Sequence, residues 1–314
     1  MTNLHGDIFA TELPDENGEL KNALIVFNPE RKVIKDLDYI DQQKKYFAEK
    51  KNHEAFTDLV GGFTFMLADT ITALHKDTRF SDTEKARIIF LGTYCSYESS
   101  GRYLKFANNV PILKSHLQDL LELANNKQFY EFYNKLVQHN IITEEIISAR
   151  EIRLKWSSEY HFKGMAKGSG VKSTELIKAY DKQVQALFKE KDEHGKSVNV
   201  PKTLYTLFMM LPFIHFESGM LCKKPLADIS ECEPFELKEL AEMFGFSRAN
   251  ILKSRLLNYK LYGTNVFFIG SGIKNRKKYT RVFVSPYVAS RNSKVPSETL
   301  LNMFPDTAKK LMKL

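Results

Sequence analysis

Residues 235–255 read FELKELAEMFGFSRANILKSR. Apolar residues recur at helical spacing on both sides of Phe244–Gly245–Phe246, so the stretch reads as two short helices joined by a tight turn. Ala241 is small enough to let the helices approach closely, and Gly245, four residues on, supplies the positive φ of a sharp turn. Leu240, Phe244, Phe246 and Ile251 are the expected contacts of the pair, and Ser247 is the expected N-cap of the second helix. That helix carries Arg248, Asn250, Lys253, Ser254 and Arg255, donors suited to base edges and phosphate oxygens.

Two β-rich runs follow, Val266–Ile269 and Tyr279–Val284, flanking GSGIKNRKK at 270–278. A glycine-flanked hairpin loop with Lys274, Arg276, Lys277 and Lys278 can lie along a phosphate backbone or enter a minor groove. Helices followed by a hairpin are the winged helix–turn–helix order, with the hairpin as wing. Charge points the same way. From Arg248 to Lys294 there are eleven Lys and Arg and no Asp or Glu. Taking these from the 46 basic residues of the chain leaves 35, against 38 acidic ones. The positive excess of the 314-residue chain therefore sits in one stretch, the electrostatic footprint of a phosphate binder.

A weaker copy of the pattern lies upstream. Ser81 with Glu84 three residues later is a capping-box signature opening a helix with Ile88, Ile89, Phe90 and Leu91. A second helix is expected over 112–123 and a third over 127–139, with Phe129, Phe132, Tyr133 and Leu136 on one stripe. Ile146–Trp156 and Glu159–Phe162 then read as two strands. Tyr97-Glu-Ser-Ser-Gly101 is echoed by Phe216-Glu-Ser-Gly219, and an apolar helix precedes each, the second over 203–216. The presumed recognition helix of this first copy offers Lys127, Gln128 and Asn134, but Glu131 sits among them and the Ala…Gly turn signature is missing. It either binds DNA weakly or serves as a dimerisation module.

The expected fold is mostly α with small β-hairpins, an α+β arrangement of two tandem winged helix–turn–helix domains with an N-terminal extension. The expected boundaries are 1–78 for an N-terminal region, 79–170 for the first winged helix and 171–198 for a linker, with a helix over 173–189. Residues 199–294 form the second, basic winged helix and 295–314 a C-terminal tail.

The layout resembles the Rep-type replication initiators of plasmids and phages, in particular those of low-GC Gram-positive mobile elements. The segments that carry the resemblance are Gly92-Thr-Tyr-Cys-Ser-Tyr97, Phe162-Lys-Gly164, Val282-Phe-Val-Ser-Pro-Tyr-Val-Ala-Ser290 and Leu300–Phe304, within roughly residues 80–304. The resemblance implies binding to origin repeats and recruitment of host replication machinery. Transcriptional control of a phage or plasmid by the same helices is the alternative, because winged helices serve both. Double-stranded DNA is the expected partner. A second copy of the chain and host replication or transcription machinery are the candidate protein partners.

No enzyme chemistry is expected. The GMAKGSGVKS run at 164–173 lacks the Gly directly before Lys-Ser that a phosphate-binding loop requires. Gly270-Ser-Gly272 has no third glycine at dinucleotide-binding spacing. No histidine pair of nicking initiators occurs, and the eight histidines and three cysteines form no zinc motif. Catalytic residues, metal and cofactor are thus all expected to be none. Trp156 reads as wing or core packing. Sparse cysteines, a polar N-terminal stretch and no long apolar run imply a cytoplasmic protein without membrane contact.

Overall fold

The computed structural model describes residues 8–14, 19–28, 31–148, 151–164, 175–274, 277–291 and 295–313, with the backbone alone for 8–14, 21–40, 98, 274, 277 and 278. These residues form a mixed α/β structure of eleven α-helices and small antiparallel sheets. The chain divides into two compact units, residues 1–58 and 59–314. In the first, β1 (Ile8–Pro14), β2 (Leu20–Asn28) and β3 (Arg31–Asp36) form an antiparallel meander. Helix α1 (Leu37–Val60) follows, with its residues from Asp41 to Ala55 exposed.

The second unit is organised by two buried helices, α3 (Asp82–Gly92) and α7 (Pro201–Met210). The α3 residues Ile88, Ile89, Phe90 and Leu91 are fully buried, as are Leu204, Leu207, Phe208 and Met210 of α7. Consecutive buried residues leave no solvent face, so both helices are interior. They pack on each other in the most extensive helix–helix contact among the described residues. Phe188 of α6 (Asp181–Lys189) stacks on Phe90 with ring centroids 4.0 Å apart. The Ser81 capping box forms as expected: Ser81 N donates to Glu84 Oε2 at 2.7 Å, and Glu84 N donates to Ser81 Oγ.

Each buried helix heads a segment of the same order. After α3 come α4 (Lys114–Leu120), α5 (Asn126–Gln138) and the hairpin β5 (Ile142–Ser148)–β6 (Glu151–Trp156). After α7 come α8 (Leu237–Met243), α9 (Ala249–Asn258) and, beyond the short pair β9 (Lys260–Leu261)–β10 (Thr264–Asn265), the hairpin β11 (Phe267–Lys274)–β12 (Lys277–Val284).

The first hairpin departs from the expected strands, because 142–148 rather than 159–162 pairs with 151–156. Glu144 and Glu145 made the first strand unrecognisable. The fold neutralises them: Tyr133 Oη and Lys114 Nζ donate to Glu144, and Tyr103 Oη and Lys155 Nζ donate to Glu145. The helix expected over 173–189 is corrected too, since Leu176–Tyr180 is strand β8 and only Asp181–Lys189 is helical. Its apolar run fits either period, and neighbouring strands decide. A four-stranded sheet places β8 between β13 (Ala289–Ser290) and β4 (Phe63–Leu67), with β7 (His161–Phe162) at the far edge. The sheet gathers chain from before the first segment, between the segments and after the second. A partly buried ion pair, Lys163 Nζ to Asp181 Oδ2 at 2.7 Å, ties the residue after β7 to the start of α6.

Gly92 closes α3 where the imidazole of His161 crosses it. A Cβ at Gly92 would lie 2.2 Å from His161 Cγ. Trp156, buried in the core, donates its indole N–H to His161 Nδ1 at 3.3 Å. Burial pushes the His161 pKa down to about 3, so the ring is neutral in the fold. Gly92→Ala is expected to destabilise by about 1–3 kcal/mol through this overpacking, read as a lowered melting temperature. An unfolded histidine binds a proton near pH 6.5 while folded His161 does not until about pH 3, so its contribution to stability falls as pH drops between these values. The His161 ring resonance is therefore expected to stay flat from pH 8 to 5, and a midpoint near 6.5 would show the ring to be solvated.

Candidate nucleic-acid interface

Helices α8 and α9 meet around the small, buried Ala241. Gly245 has φ +73° in the turn between them, and Phe246 N donates to Ala241 O at 2.7 Å to close it. Leu240, Leu252 and Leu256 are fully buried and hold the pair to the core, with Phe244 and Phe246 partly buried against it. Ile251, expected at this contact, is instead 46% exposed. The packing residues of α9 are Leu252 and Leu256, one turn apart, which turns the 250–251–254 stripe outward. The N-cap is Arg248 rather than Ser247, in extended conformation and with no side-chain acceptor for the first-turn amides.

Arg248, Asn250, Ser254 and Arg255 line one open groove of about 830 Å³. Its other wall is the loop before α7, with Lys196, Ser197 and Asn199. This wall was missed in the sequence, where Lys196 and Ser197 fall in the 171–198 linker. The loop is built around Asp192, whose Oδ1 accepts from the backbone N–H of His194 and Lys196, both at 2.9 Å. Gly195, at φ +73°, permits the turn that holds exposed Lys196 at the groove. Lys253 is exposed but lies outside the groove, on another face of α9.

The β11–β12 hairpin is anchored by buried Phe267, Val282 and Val284. Eight paired residues per strand, from Phe267↔Val284 to Lys274↔Lys277, give it a reach of about 25 Å. Lys274 and Lys277 form its last backbone pair, with Lys278 next to them. Arg276, the fourth expected wing cation, lies outside the described residues, as does 165–173 of the phosphate-loop look-alike.

The structure trims the cationic footprint of 248–294. Arg291 is only 6% exposed, and its burial pushes the pKa down to about 10. Arg281 lies over the Tyr279 ring with its guanidinium 3.8 Å from Glu236. By contrast Arg248, Lys253 and Arg255 have no acidic partner among the described residues.

The first segment is wired differently. Lys127, Gln128 and Asn134 are exposed on α5, away from the groove. Lys127 faces Glu131 at 3.9 Å, and Lys135 is bonded to Glu84 at 2.9 Å. In its hairpin Arg153 pairs with Glu151 at 2.7 Å and Lys155 with Glu145 at 3.0 Å. Cations held by adjacent acids have little field left for a distant phosphate. No group of three or more potential metal ligands occurs among the described residues, and no helix there is long and apolar enough to cross a membrane.

Arg248 and Arg255 are therefore expected to dominate polyanion binding. Replacing both with Ala should make the chain leave a heparin column at clearly lower salt, whereas replacing Lys127 and Lys135 should shift elution little. Equal shifts would show that the acids beside Lys127 and Lys135 do not compensate them. No protein-family model, curated protein or solved structure matches the chain.

Proposed function

We propose that this chain is a sequence-reading, double-stranded-DNA-binding protein with two tandem winged helices, acting as a replication initiator at the origin of a plasmid or phage. In this reading α9 is the recognition helix and β11–β12 the wing. The observation that carries it is the groove-lining set Arg248, Asn250, Ser254 and Arg255, polar, outward-facing and without acidic partners among the described residues. Arg can read guanine with two hydrogen bonds and Asn can read adenine. Both stand in or beside the first turn of α9, the part of a recognition helix that reaches base edges. Arg255, two turns further on, serves as a phosphate anchor. The hairpin lysines touch phosphate or sugar, and the first winged helix contributes less because its cations are paired. No catalysis, metal or cofactor enters. The initiator role rests on the Rep-like layout, and recruitment of host replication machinery goes with it.

The test begins by selecting a binding site from random duplexes and then titrates variants on that site and on a scrambled one. Arg248→Ala and Asn250→Ala are each expected to cost about 1–3 kcal/mol on the selected site and much less on the scrambled one. Lys253→Ala and the Lys277→Ala/Lys278→Ala pair should weaken both duplexes by similar factors, flattening the salt slope by roughly one unit for each phosphate no longer neutralised. Equal losses for Arg248→Ala on both duplexes would make α9 a non-specific clamp. For the initiator role, the gene with its flanking DNA should sustain a plasmid lacking its own origin. Regulated transcription without such maintenance would identify a regulator instead.

A further inference from the structure

The α9 groove has a second hollow one hydrogen bond away. Asn199, in the groove wall, donates its amide to Lys260 O at 2.7 Å and accepts from Lys260 N at 3.3 Å. Lys260 in turn lines a second concavity of about 440 Å³, floored by β9–β10 and walled by α11 (Pro305–Leu311). Its charged residues are Lys260, Asp306, Lys309, Lys310 and Lys313. Its other lining residues are Gly263, Thr264 and Asn265, so no apolar side chain faces it.

The lysines are placed by helix geometry. Asp306, Lys309 and Lys310 recur three and four residues apart on one face of α11, and Lys313 continues that face in the turn after it. Lys309, Lys310 and Lys313 are exposed and have no ion pair among the described residues. The Lys260 ammonium donates to the neutral Asn265 amide oxygen, which leaves its charge uncompensated. The opposite face of α11 is fixed: Thr307 and Leu311 are buried, and the Thr307 and Thr264 hydroxyls are 2.8 Å apart. Four lysines against one aspartate thus line a polar hollow, three of them on a helix seated by its opposite face, and Lys260 is hydrogen-bonded to Asn199 of the α9 groove.

We propose that this hollow is a second phosphate-backbone contact, in which Lys260, Lys309, Lys310 and Lys313 hold duplex DNA beyond the segment read by α9. The inference rests on the DNA-binding reading and extends it to a part of the chain that sequence patterning leaves as a bare tail. An all-polar lining with unpaired cations suits a hydrated phosphate chain, which needs charge and hydrogen-bond donors rather than apolar surface.

The experiment compares the full chain with its Lys309→Ala/Lys310→Ala/Lys313→Ala variant by fluorescence anisotropy. One duplex is just long enough for the selected site, and the other extends it by about ten base pairs on each side. The wild type should prefer the extended duplex, and the variant should lose that preference while binding the short duplex as before. On the extended duplex the salt slope should flatten by about 2–3 units, near 0.9 for each phosphate released from a lysine. Replacement of the three lysines by arginine should restore the preference, and unchanged melting would show α11 still seated. Retained preference in the Ala variant overturns the proposal while leaving the α9 reading standing. A wild type that binds neither duplex overturns both. Loss of binding only to phosphatidylserine vesicles, with DNA binding intact, would assign the hollow to a lipid surface and also overturn it.

Discussion

The packing of α3 against α7 is the constraint on which the rest of residues 59–314 depends. The later residues of both helices, Ile88–Leu91 and Leu207–Met210, are buried on every side, so these stretches are interior. Burying each large apolar side chain contributes about 1.5–3 kcal/mol, and these two helices supply eight that are fully buried. Their mutual burial turns two similar helix-and-hairpin segments into one compact unit. The amphipathic helices are left to cover the outside. α5 buries Phe129, Phe132, Tyr133 and Leu136, and α9 buries Leu252 and Leu256. The remaining face of each is thereby presented to solvent. The clash that a side chain at Gly92 would meet shows how little slack this centre has.

On that common frame the two segments differ in how charge is settled. In the first, acids from α3, α5 and the β5–β6 hairpin meet the cations one by one. Several of these pairs are partly screened from solvent and serve the fold, as Glu144 does by accepting from Tyr133 and Lys114. In the second, α9 is cationic on a surface where no acid answers it among the described residues. The same supersecondary plan thus carries cations paired with acids on α5 and its hairpin and cations without acidic partners, among the described residues, on α9.

Counting residues is a poor guide to how many charges take part. Arg291 contributes to the formal excess of 248–294 but lies inside, with Nε and Nη1 lacking a partner among the described residues. Lys196, Lys309, Lys310 and Lys313 lie outside that stretch in sequence yet stand at the groove or at the hollow beside α11. Proximity in sequence and proximity in the field are different quantities.

Local features were legible where short-range physics decides. The Ser81–Glu84 box, the Ala241…Gly245 turn, the helical stripe of α5 and the β11–β12 hairpin rest on contacts within fewer than twenty residues, although Gly270 and Gly272, expected in the loop at 270–278, are paired inside β11. So did the presence of Arg248, Asn250, Ser254 and Arg255 on one short helix. Other features depended on partners far along the chain. Leu176–Tyr180 is a strand because β4 and β13 flank it, more than a hundred residues away in each direction. Glu144 and Glu145 occupy a strand because Tyr103, Lys114 and Tyr133 answer them. Lys196 joins α9, and Lys260 joins α11, only after the chain has closed on itself. The sequence by itself determined the helix–turn–helix, its hairpin and their charge, since backbone geometry and side-chain period are local. Tertiary structure alone decided the central sheet, the second wall of the groove and which cations remain unpaired, because strand pairing and charge compensation are settled between residues that sequence order keeps apart.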